Sequence, residues 1–351
     1  MLNQSLYHTY RRYRTLQTDR ITVLPIVILM PHSACNCRCI MCDIWKDNKN
    51  LKRLSENDVK DLLTSFKKLE TKQVVMSGGE ALLNPNFFRL CEILRKENIR
   101  ITLLSTGLTL KNNVQQLLEG VDEIIVSLDG DEETHNRIRN IPDAYRKLKE
   151  GVQAIKAAKP GFRITGRSVI HRLNFSVWPR IIESAKEIGL DQVSFLPADV
   201  SSQAFNREIV WSEEKQHEIM PEENELTHLQ IIINSIQINN NIDFENRYIA
   251  ESPAKIQKIY NYYAAFYGIN PFPYKKCNAP WVSAVIEADG TVRPCFFHPS
   301  SGNIHTGSFD KILNSESSIN FRKNLDTDTN DTCKKCVCYL NLPPRMNPAV
   351  N

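Results

Sequence analysis

Cysteine is the residue type that points most strongly to chemistry in this sequence. All but one of the ten cysteines stand in two groups: Cys35, Cys37, Cys39 and Cys42 near the start, and Cys277, Cys295, Cys333, Cys336 and Cys338 near the end. Small secreted scaffolds carry disulfide cysteines throughout, whereas tight groups in a long chain without a secretory signal indicate metal sites. The remaining cysteine, Cys91, lies in a helical pattern, and we expect it to be a small buried hydrophobe.

The spacing within the first group favours an iron–sulfur cluster. Cys35, Cys39 and Cys42 follow the pattern C-x3-C-x2-C, and three thiolates on one loop can hold three corners of a [4Fe–4S] cube. The fourth iron then has no protein ligand and is open to an external molecule. The alternative is a zinc knuckle that also uses Cys37, because zinc sites close with four ligands.

A glycine-rich motif, Ser77-Gly78-Gly79-Glu80, directly follows the second apolar run of the chain. Glycine lets a backbone approach a ligand closely, with N–H groups for a carboxylate. The carboxylate of Glu80 would then stand beside the same ligand. An isolated motif of this kind is usually an ordinary turn, so its weight comes from its place after a strand.

Three further apolar runs carry polar side chains at or near their ends. Ser105-Thr106-Gly107 ends the third run, and Ser127-Leu128-Asp129-Gly130 ends the fourth. Strand-ending turns explain both motifs equally well. Arg167 lies in the fifth run, and His171 follows it directly. We expect His171 to be structural, because a lone histidine more often is.

The elements that must position these residues alternate along the first 200 residues. The apolar runs are Ile21–Met30, Gln73–Ser77, Ile101–Ser105, Glu123–Leu128, Phe162–Ile170 and Gln192–Leu196. The helical patterns between them are Val59–Leu69, Phe87–Leu94, Asn113–Leu118, Ala144–Ala158 and Val177–Ile188. This order predicts an α/β fold with a parallel sheet, right-handed crossovers and a curved or closed shape. Six strands do not support a full eight-stranded barrel.

The rest of the chain divides by composition. Residues 1–20 are an N-terminal extension, 21–200 the barrel, 201–275 a helical connector, 276–340 a small C-terminal α+β domain and 341–351 a tail. In the small domain, Val282–Glu287 and Thr291–Phe297 flank a predicted tight turn at Asp289–Gly290. The aromatic residues between Tyr260 and Tyr274 are expected to pack the connector rather than line a pocket. Both chain ends are expected to be loosely held.

Charge and hydropathy narrow the class of partner. The 44 basic and 40 acidic side chains give a net charge of +4 and are spread along the chain. The sequence contains no block of basic residues that would indicate binding of nucleic acid. The longest apolar run is about half as long as a membrane span needs, and Pro25 interrupts it. The sequence therefore predicts a soluble cytoplasmic protein with no nucleic acid or membrane partner.

The segment Pro31–Trp45 strongly resembles the signature loop of radical S-adenosylmethionine (SAM) enzymes. In that family the amino and carboxylate groups of the cofactor's methionine part chelate the open iron. Reductive cleavage then gives a 5′-deoxyadenosyl radical, which abstracts hydrogen from a substrate. Met41 departs from the pattern, because many members carry an aromatic residue there, beside the adenine.

The resemblance also implies a fold, a cofactor site and a partner. The expected fold is a partial (β/α)6 TIM-like barrel over residues 24 to about 200, with its active site at the carboxyl ends of the strands. The catalytic cluster would be held by Cys35, Cys39 and Cys42. The residues expected to hold SAM are Gly78, Gly79, Glu80, Thr106, Ser127 and Arg167. The low-potential electron would come from a flavodoxin or a ferredoxin.

The second cysteine group resembles the auxiliary-cluster module called twitch, a shortened SPASM domain. The matching spacings are C-x12-G-x4-C and a later C-x2-C. They imply one auxiliary [4Fe–4S] cluster, so that two clusters are expected in all, with the ligands Cys277, Cys295, Cys333 and Cys336. Cys338 is an alternative fourth ligand, and a four-cysteine zinc site is the alternative occupant. The expected role is to accept an electron from the substrate radical.

The substrate is the least defined expectation. Relatives with this layout include dehydrogenases of aminosugar-like alcohols, sugar-acid decarboxylases and peptide maturases. Only about twenty residues precede the first strand, which leaves no room for a separate leader-peptide-binding domain, and this favours a small sugar-like or nucleoside-like molecule. A peptide-modifying maturase is the alternative, and a non-catalytic zinc-binding protein a lower one. Pterin-forming cyclases rank lower than the favoured reading, because they end in Gly-Gly and this chain ends in Pro-Ala-Val-Asn.

Overall fold

A single mixed sheet organises the protein. The computed structural model describes residues 2–207 and 209–345. The strands of that part are β1 Ile26–Leu29, β2 Gln73–Met76, β3 Arg100–Ser105, β4 Glu123–Ser127, β5 Ile164–Ile170, β6 Gln192–Pro197, β7 Ser283–Ile286, β8 Thr291–Arg293 and β9 Gly302–Asn303. They form one nine-stranded sheet in the order β6-β5-β4-β3-β2-β1-β7-β8-β9.

The helices fall before, between and after these strands. Those of the barrel half are α1 Leu2–Thr18, α2 Glu56–Lys68, α3 Phe87–Lys96, α4 Val114–Gly120, α5 Glu132–Arg139, α6 Ala144–Ala158 and α7 Trp178–Ile188. Those of the second half are α8 Glu213–Ile219, α9 Leu226–Asn239, α10 Asn241–Glu245, α11 Pro253–Phe266, α12 Ala279–Val282, α13 Phe309–Leu313, α14 Glu316–Asn324 and α15 Asp331–Lys334. Among the described residues, none of these helices combines the length and apolar character needed to cross a membrane.

The predicted partial (β/α)6 barrel is confirmed. Each strand from β1 to β6 pairs in parallel with the next along the chain, as strands joined by helical crossovers do. Helix α2 shows why the sequence folds this way. Ser55 caps it in a capping box with Asp58, and its apolar stripe buries Val59 and Phe66 beneath the sheet. Burial of such a stripe, more than helix propensity, stabilises a helix of this length.

Several predicted boundaries are wrong for identifiable reasons. Strand β1 begins at Ile26 rather than Ile21, because Pro25 has no N–H to donate to a neighbouring strand. Strand β8 ends at Arg293, before Pro294, for the same reason. The predicted turn is confirmed, since Gly290 has a φ of +82° between β7 and β8.

The C-terminal hairpin continues the barrel sheet, which the sequence did not indicate. Strand β7 pairs in parallel with β1, with Ile26 opposite Ser283 and Leu29 opposite Ile286. Strand β8 then pairs antiparallel with β7, and β9 pairs antiparallel with β8. The loop of the first cysteine group therefore follows β1, and Cys277 and Cys295 flank the hairpin whose strand β7 pairs with β1.

The expectation of loose chain ends is wrong for the described part of both ends. Residues 2–18 form α1, and the Arg12 guanidinium donates to the carbonyl oxygens of Leu342, Pro343 and Pro344 at 3.2, 2.9 and 3.0 Å. One buried guanidinium therefore ties the first helix to the last described residues. Residues 346–351 of the predicted tail lie outside the described part.

The connector is helical, as predicted, and its aromatic residues pack the interior. Tyr262 and Tyr263 are buried at 1% and 0% exposure. Tyr262 meets Phe266 and Phe272 edge to face, with ring centroids 5.3 and 5.9 Å away. The packing interpretation is therefore confirmed. Cys91 is likewise buried, on α3.

Candidate functional site

The loop after β1 holds the first cysteine group in a fixed backbone conformation. The Asn48 side chain clamps Cys35, accepting from its N–H at 3.0 Å and donating to its carbonyl at 2.9 Å. The Trp45 indole donates to the Cys39 carbonyl at 3.1 Å, and the Cys42 N–H donates to the same carbonyl at 3.2 Å. Two side chains that follow the cysteines therefore close the loop over them.

The thiols of this loop differ in acidity. A hydrogen bond from the Cys37 thiol lowers the pKa of Cys35 and is the first cause that lowers the pKa of Cys39 to about 7. Burial raises the pKa of Cys42 to about 12. Thiolates are the form that binds metal, so a cationic occupant is needed to hold Cys42 deprotonated.

The donor set fits an iron–sulfur cluster with one open iron. Three sulfur donors lie on a single closed loop, and the Nδ2 of Asn36 within it is buried without a partner among the described residues. A polar group bound beside the loop would satisfy that amide. Within the described residues, no group of three or more His, Cys, Asp or Glu side chains is arranged around one metal ion. A [4Fe–4S] cube binds its cysteine thiolates through its separate irons.

The glycine motif packs against this loop. Gly78 has a φ of +115°, and a Cβ there would lie 2.9 Å from the His32 carbonyl oxygen. A Cβ on Gly79 would lie 2.1 Å from the carbonyl oxygen of Ala34. The Glu80 N–H donates to that same oxygen at 2.9 Å. Only glycine allows this approach, so the motif locks the end of β2 onto the cysteine loop.

Glu80 joins the ends of β2 and β3. Its carboxylate is fully buried and accepts from the Thr106 N–H and hydroxyl, both at 2.7 Å, and from the Ser105 hydroxyl at 3.1 Å. Burial raises the pKa of Glu80, while the hydrogen bonds from Thr106 oppose the shift. The Thr106 hydroxyl also lies 2.9 Å from the Asn36 amide oxygen. The geometry shows a positioning role for Glu80, and ligand contact remains a prediction.

Ser127 and Arg167 face the same side of the sheet. They are paired directly across β4 and β5, and residues paired in this way project to the same face. Arg167 is exposed; its Nε donates to the Ser194 hydroxyl at 3.4 Å, and it forms no ion pair within the described residues. A guanidinium in this position can receive a carboxylate. His171, by contrast, is fully buried, as the structural interpretation expects.

Sequence reasoning missed a buried ion pair beside the cysteines. Arg139 lies 2.5 Å from the Asp129 carboxylate and 3.5 Å from the Cys39 sulfur, to which it donates. Burial raises the pKa of Asp129, and the charge of Arg139 opposes that shift. Although burial by itself would lower it, the charges of Asp129 and Cys39 raise the pKa of Arg139. The signal that the sequence offered was Asp131, a typical helix-capping residue. It caps α5, the helix that ends in Arg139, by accepting from the Thr134 N–H.

The second cysteine group lies around α15 and the end of the hairpin. Burial raises the pKa of Cys295 to about 12 and that of Cys333 to about 11, and Cys277 lies near both. Burial raises the pKa of Cys336, with Cys338 and then Cys295 adding to the rise. Burial also raises the pKa of Cys338, and the charges that act on it are those of Arg167 and Asp199. Of the two, Cys336 is the one whose pKa Cys295 affects, and this favours it over Cys338 as the fourth ligand.

Two basic groups stand beside these thiols. The Nε2 of His298 lies 3.4 Å from the Cys333 sulfur. Burial lowers the pKa of Lys275, whose ammonium donates to the Lys334 carbonyl at 2.8 Å. Four thiolates and nearby hydrogen-bond donors fit an auxiliary iron–sulfur cluster.

A cavity of about 1030 Å³ is lined in part by residues that directly follow Cys42 in the first cysteine group and Cys295 in the second. One wall is formed by the segment directly after Cys42, which includes Asp43 and Lys46. Another is formed by the segment directly after Cys295, which begins with Phe296. The third wall is formed by loop residues 203–207 and by Ile209. The sequence assigned this loop to the connector and gave no signal of a cavity, because irregular segments carry no periodicity.

Comparison with known proteins bears on both halves. Residues 29–185 match the model of the Radical SAM superfamily, and residues 277–337 match the SPASM iron-sulfur cluster-binding domain. The chain is 25% identical over 161 residues to an AdoMet-dependent heme synthase of Methanosarcina barkeri, covering 45% of this chain and 46% of the relative. The chain thus spans about half the length of curated relatives of this kind.

Two other comparisons extend over most of the chain. A probable GTP 3′,8-cyclase of Saccharolobus islandicus is 24% identical over 294 residues, 81% of this chain and 84% of the relative. The structure of Streptococcus suis SuiB bound to its precursor peptide SuiA superposes with a TM-score of 0.62 at 14% identity, covering 93% of this chain and 73% of SuiB. Identity this low shows a shared fold. With the matching family models and the geometry of the cysteine loop, it follows that the chain belongs to the radical SAM superfamily and carries a C-terminal SPASM iron–sulfur domain.

Proposed function

We propose that this protein cleaves SAM reductively and abstracts a hydrogen atom from a substrate bound between the two cysteine groups. The observation that carries the proposal is the cavity, whose walls directly follow Cys42 on one side and Cys295 on the other. The bound catalytic cluster with SAM would supply a 5′-deoxyadenosyl radical. A substrate in this cavity would lie between the source of the radical and an acceptor for the electron.

The chain's own residues would orient the cofactor. Gly78 and Gly79 hold the cysteine loop against the end of β2, and Glu80 fixes Thr106 at the end of β3. Ser127 and Arg167, adjacent on one face of the sheet, would bind the ribose and the carboxylate of SAM. These contacts share the carboxyl edge of the strands, where parallel sheets place their ligands.

Cys277, Cys295, Cys333 and Cys336 would hold the auxiliary cluster and make it the electron acceptor. With every iron closed by a thiolate, this cluster has no position for substrate. Abstraction of hydrogen would leave a substrate radical, which becomes a closed-shell product by losing one electron and one proton. The four cysteines would hold a cluster that supplies an acceptor for that electron, and a flavodoxin or ferredoxin would supply the electron for the next cleavage. We place these reactions in the cytoplasm.

The cavity walls support a small ring-bearing substrate, sugar-like or nucleoside-like. Phe205, Phe296 and Phe297 line it together, with ring centroids 4.9 and 5.5 Å apart for the Phe205–Phe296 and Phe296–Phe297 pairs. Arg293 and Glu287 add an ion pair of 2.8 Å at the wall. Aromatic faces with a few fixed polar groups are typical of small-molecule sites.

The test begins with anaerobic purification of the wild type and of C35A/C39A/C42A. Iron, sulfide and zinc are counted, and 5′-deoxyadenosine is measured after addition of dithionite and SAM. We expect about two [4Fe–4S] clusters and 5′-deoxyadenosine from the wild type, and about one cluster and no product from the variant. A wild type that holds only zinc after reconstitution would overturn the proposal.

The substrate class is tested by isotope transfer. Deuterated sugars and nucleosides are supplied with SAM, and deuterium is followed into 5′-deoxyadenosine by mass spectrometry. We expect deuterium transfer from one of these compounds, and less transfer in a Phe205→Ala variant. Transfer only from a precursor peptide would replace the small-molecule assignment by the maturase alternative.

A further inference from the structure

A short cationic segment lies on the surface directly after the cysteine loop. Within residues 46–53 the side chains of Lys46, Lys49, Lys52 and Arg53 are exposed. The same eight residues contain a single carboxylate, Asp47, which is half-buried and accepts from Asn50 at 2.7 Å. We name residues 46–53 the cationic strip; its Lys46, Asp47 and Asn50 also line the rim of the cavity described above.

Two of the four cations have no carboxylate to neutralise them. Lys46 pairs with Asp43 at 2.7 Å, and Lys52 meets Asp289 at 3.5 Å. Lys49 and Arg53 form no ion pair within the described residues. The strip therefore presents net positive charge to solvent.

An apolar side chain stands among these cations. Leu51 is 63% exposed, one of the large hydrophobic side chains that the described structure leaves outside its core. Protein interfaces commonly join an apolar centre to a polar rim. Leu51 between Lys49 and Arg53 has this arrangement on a small scale.

The strip is hydrogen-bonded to the cysteine loop itself. The two Asn48–Cys35 bonds join it to the first cysteine. The Ser33 N–H donates to the Lys52 carbonyl at 3.0 Å, and the Lys52 N–H donates to the Ser33 hydroxyl at 2.9 Å. A protein seated on the strip would therefore be separated from the backbone of Cys35 by one layer of hydrogen-bonded side chains.

We propose that the cationic strip docks an acidic one-electron carrier protein. The proposal rests on the proposed function, which requires a donor for the catalytic cluster. In the transfer the reduced carrier loses one electron, the cluster gains it, and no bond or proton moves. Complementary charge speeds encounter of such partners. Redox complexes are also small enough, below about 1,200 Å², for a strip of this size to contribute much of the contact.

The test compares two double charge reversals in the anaerobically reconstituted protein. K49E/R53E changes the strip without breaking an ion pair. K72E/K159E changes net charge equally, with two exposed lysines that precede β2 and β5, at the opposite edge of the parallel strands. A purified flavodoxin of net negative charge, reduced to the hydroquinone, is mixed with each protein, and bleaching of the cluster absorbance is followed by stopped flow.

For K49E/R53E we expect a second-order rate constant at low ionic strength that is roughly tenfold lower than that of the wild type. At high salt the difference should largely disappear, and K72E/K159E should resemble the wild type throughout. Dithionite, which needs no docking surface, should reduce all three proteins alike. Flavodoxin reduction that is equally fast in K49E/R53E and in the control would overturn the proposal.

A second variant keeps every charge in place. Leu51→Asn should weaken binding of the oxidised flavodoxin, measured by calorimetry, by roughly tenfold, through loss of apolar contact. Unchanged affinity in both L51N and K49E/R53E would also overturn the docking proposal. Because this measurement needs no turnover, it stays informative if dithionite and SAM give no 5′-deoxyadenosine, a result that would count against the proposed function instead.

Discussion

Arg139 carries a positive charge into the interior beside a sulfur that the cysteine pattern assigns to the cluster. Its partner Asp129 is fully buried, and the pair has a separation of 2.5 Å. A buried pair of this kind contributes little net stability, but removing one partner leaves an uncompensated charge and costs about 3–5 kcal/mol. The pair therefore holds a donor at the Cys39 sulfur without stabilising the fold greatly.

Arg139→Met should destabilise the protein in a pH-dependent way. Burial already raises the pKa of Asp129, and without Arg139 it should rise further. The folded state then binds a proton more tightly than the unfolded state, so the added loss of stability grows as pH rises above the unfolded pKa, about 3.9. Urea unfolding of the wild type and of Arg139→Met, at several pH values from acidic to neutral, measures this loss of unfolding free energy.

The exposed neighbour Arg137→Met is the control for this prediction, because it lies on the same helix and forms no ion pair within the described residues. It should show no added pH dependence. An Arg139→Met variant whose loss of stability is the same at every pH would contradict the assigned role of Asp129.

Gly79→Ala tests the packing of the glycine motif. Its new Cβ would lie 2.1 Å from the Ala34 carbonyl oxygen, so the backbone must move, at a cost of about 1–3 kcal/mol. We expect lower thermal stability and incomplete iron loading. Gly161→Ala is the matched control, since nothing lies within 4 Å of its added Cβ. Full iron content in Gly79→Ala would show that the contact does not position the loop.

At the level of elements, helix α5 connects the ends of β4 and β5 to the cysteine loop. The Arg38 N–H donates to the Arg139 carbonyl at 3.0 Å, and the Ile40 N–H to the Ile138 carbonyl at 3.2 Å. Asp131 caps the start of the helix, and its carboxylate accepts from the Thr134 N–H at 3.1 Å. A short helix depends strongly on such a cap.

Asp131→Ala should therefore cost about 1 kcal/mol of unfolding free energy, measured by urea denaturation. Asp131→Asn keeps a side-chain oxygen at the cap and should restore most of the loss. If both variants were equally unstable, the carboxylate charge rather than the cap would be the cause.

The elements also show what the sequence could predict. Strands β2 to β6 were predicted within a few residues because their apolar runs are Val- and Ile-rich and bounded by turn residues, and the motifs that end them were placed with them. Helix α5 was missed because it is short and strongly polar, so no apolar period marks it. The pairing of β7 with β1 was missed because a long-range register leaves no local signal in either strand.

At the level of the whole molecule, the two cysteine groups flank strands of the same sheet, but no cysteine belongs to both groups. The first group belongs to the loop after β1, and the second to the segments around β8 and α15. The Asn278 side chain ties the second group to the end of the chain, since its Nδ2 donates to the Leu342 carbonyl at 3.0 Å and its Oδ1 accepts from the Leu342 N–H at 2.9 Å. Each site should therefore load independently of the other.

Cys336→Ser tests this independence and the choice of the last ligand together. Because Cys295 affects the pKa of Cys336, while Arg167 and Asp199 affect that of Cys338, we expect Cys336→Ser to lose about one [4Fe–4S] cluster. It should still form 5′-deoxyadenosine from SAM and dithionite, because the first group is untouched, but it should form no oxidised product. Cys338→Ser, the matched control, should keep both clusters and full activity. Loss of a cluster in Cys338→Ser with full loading in Cys336→Ser would reverse the assignment. Loss of 5′-deoxyadenosine in Cys336→Ser would show instead that the first site depends on the second. The pairing of β1 with β7 would then be the structural link that couples the two sites.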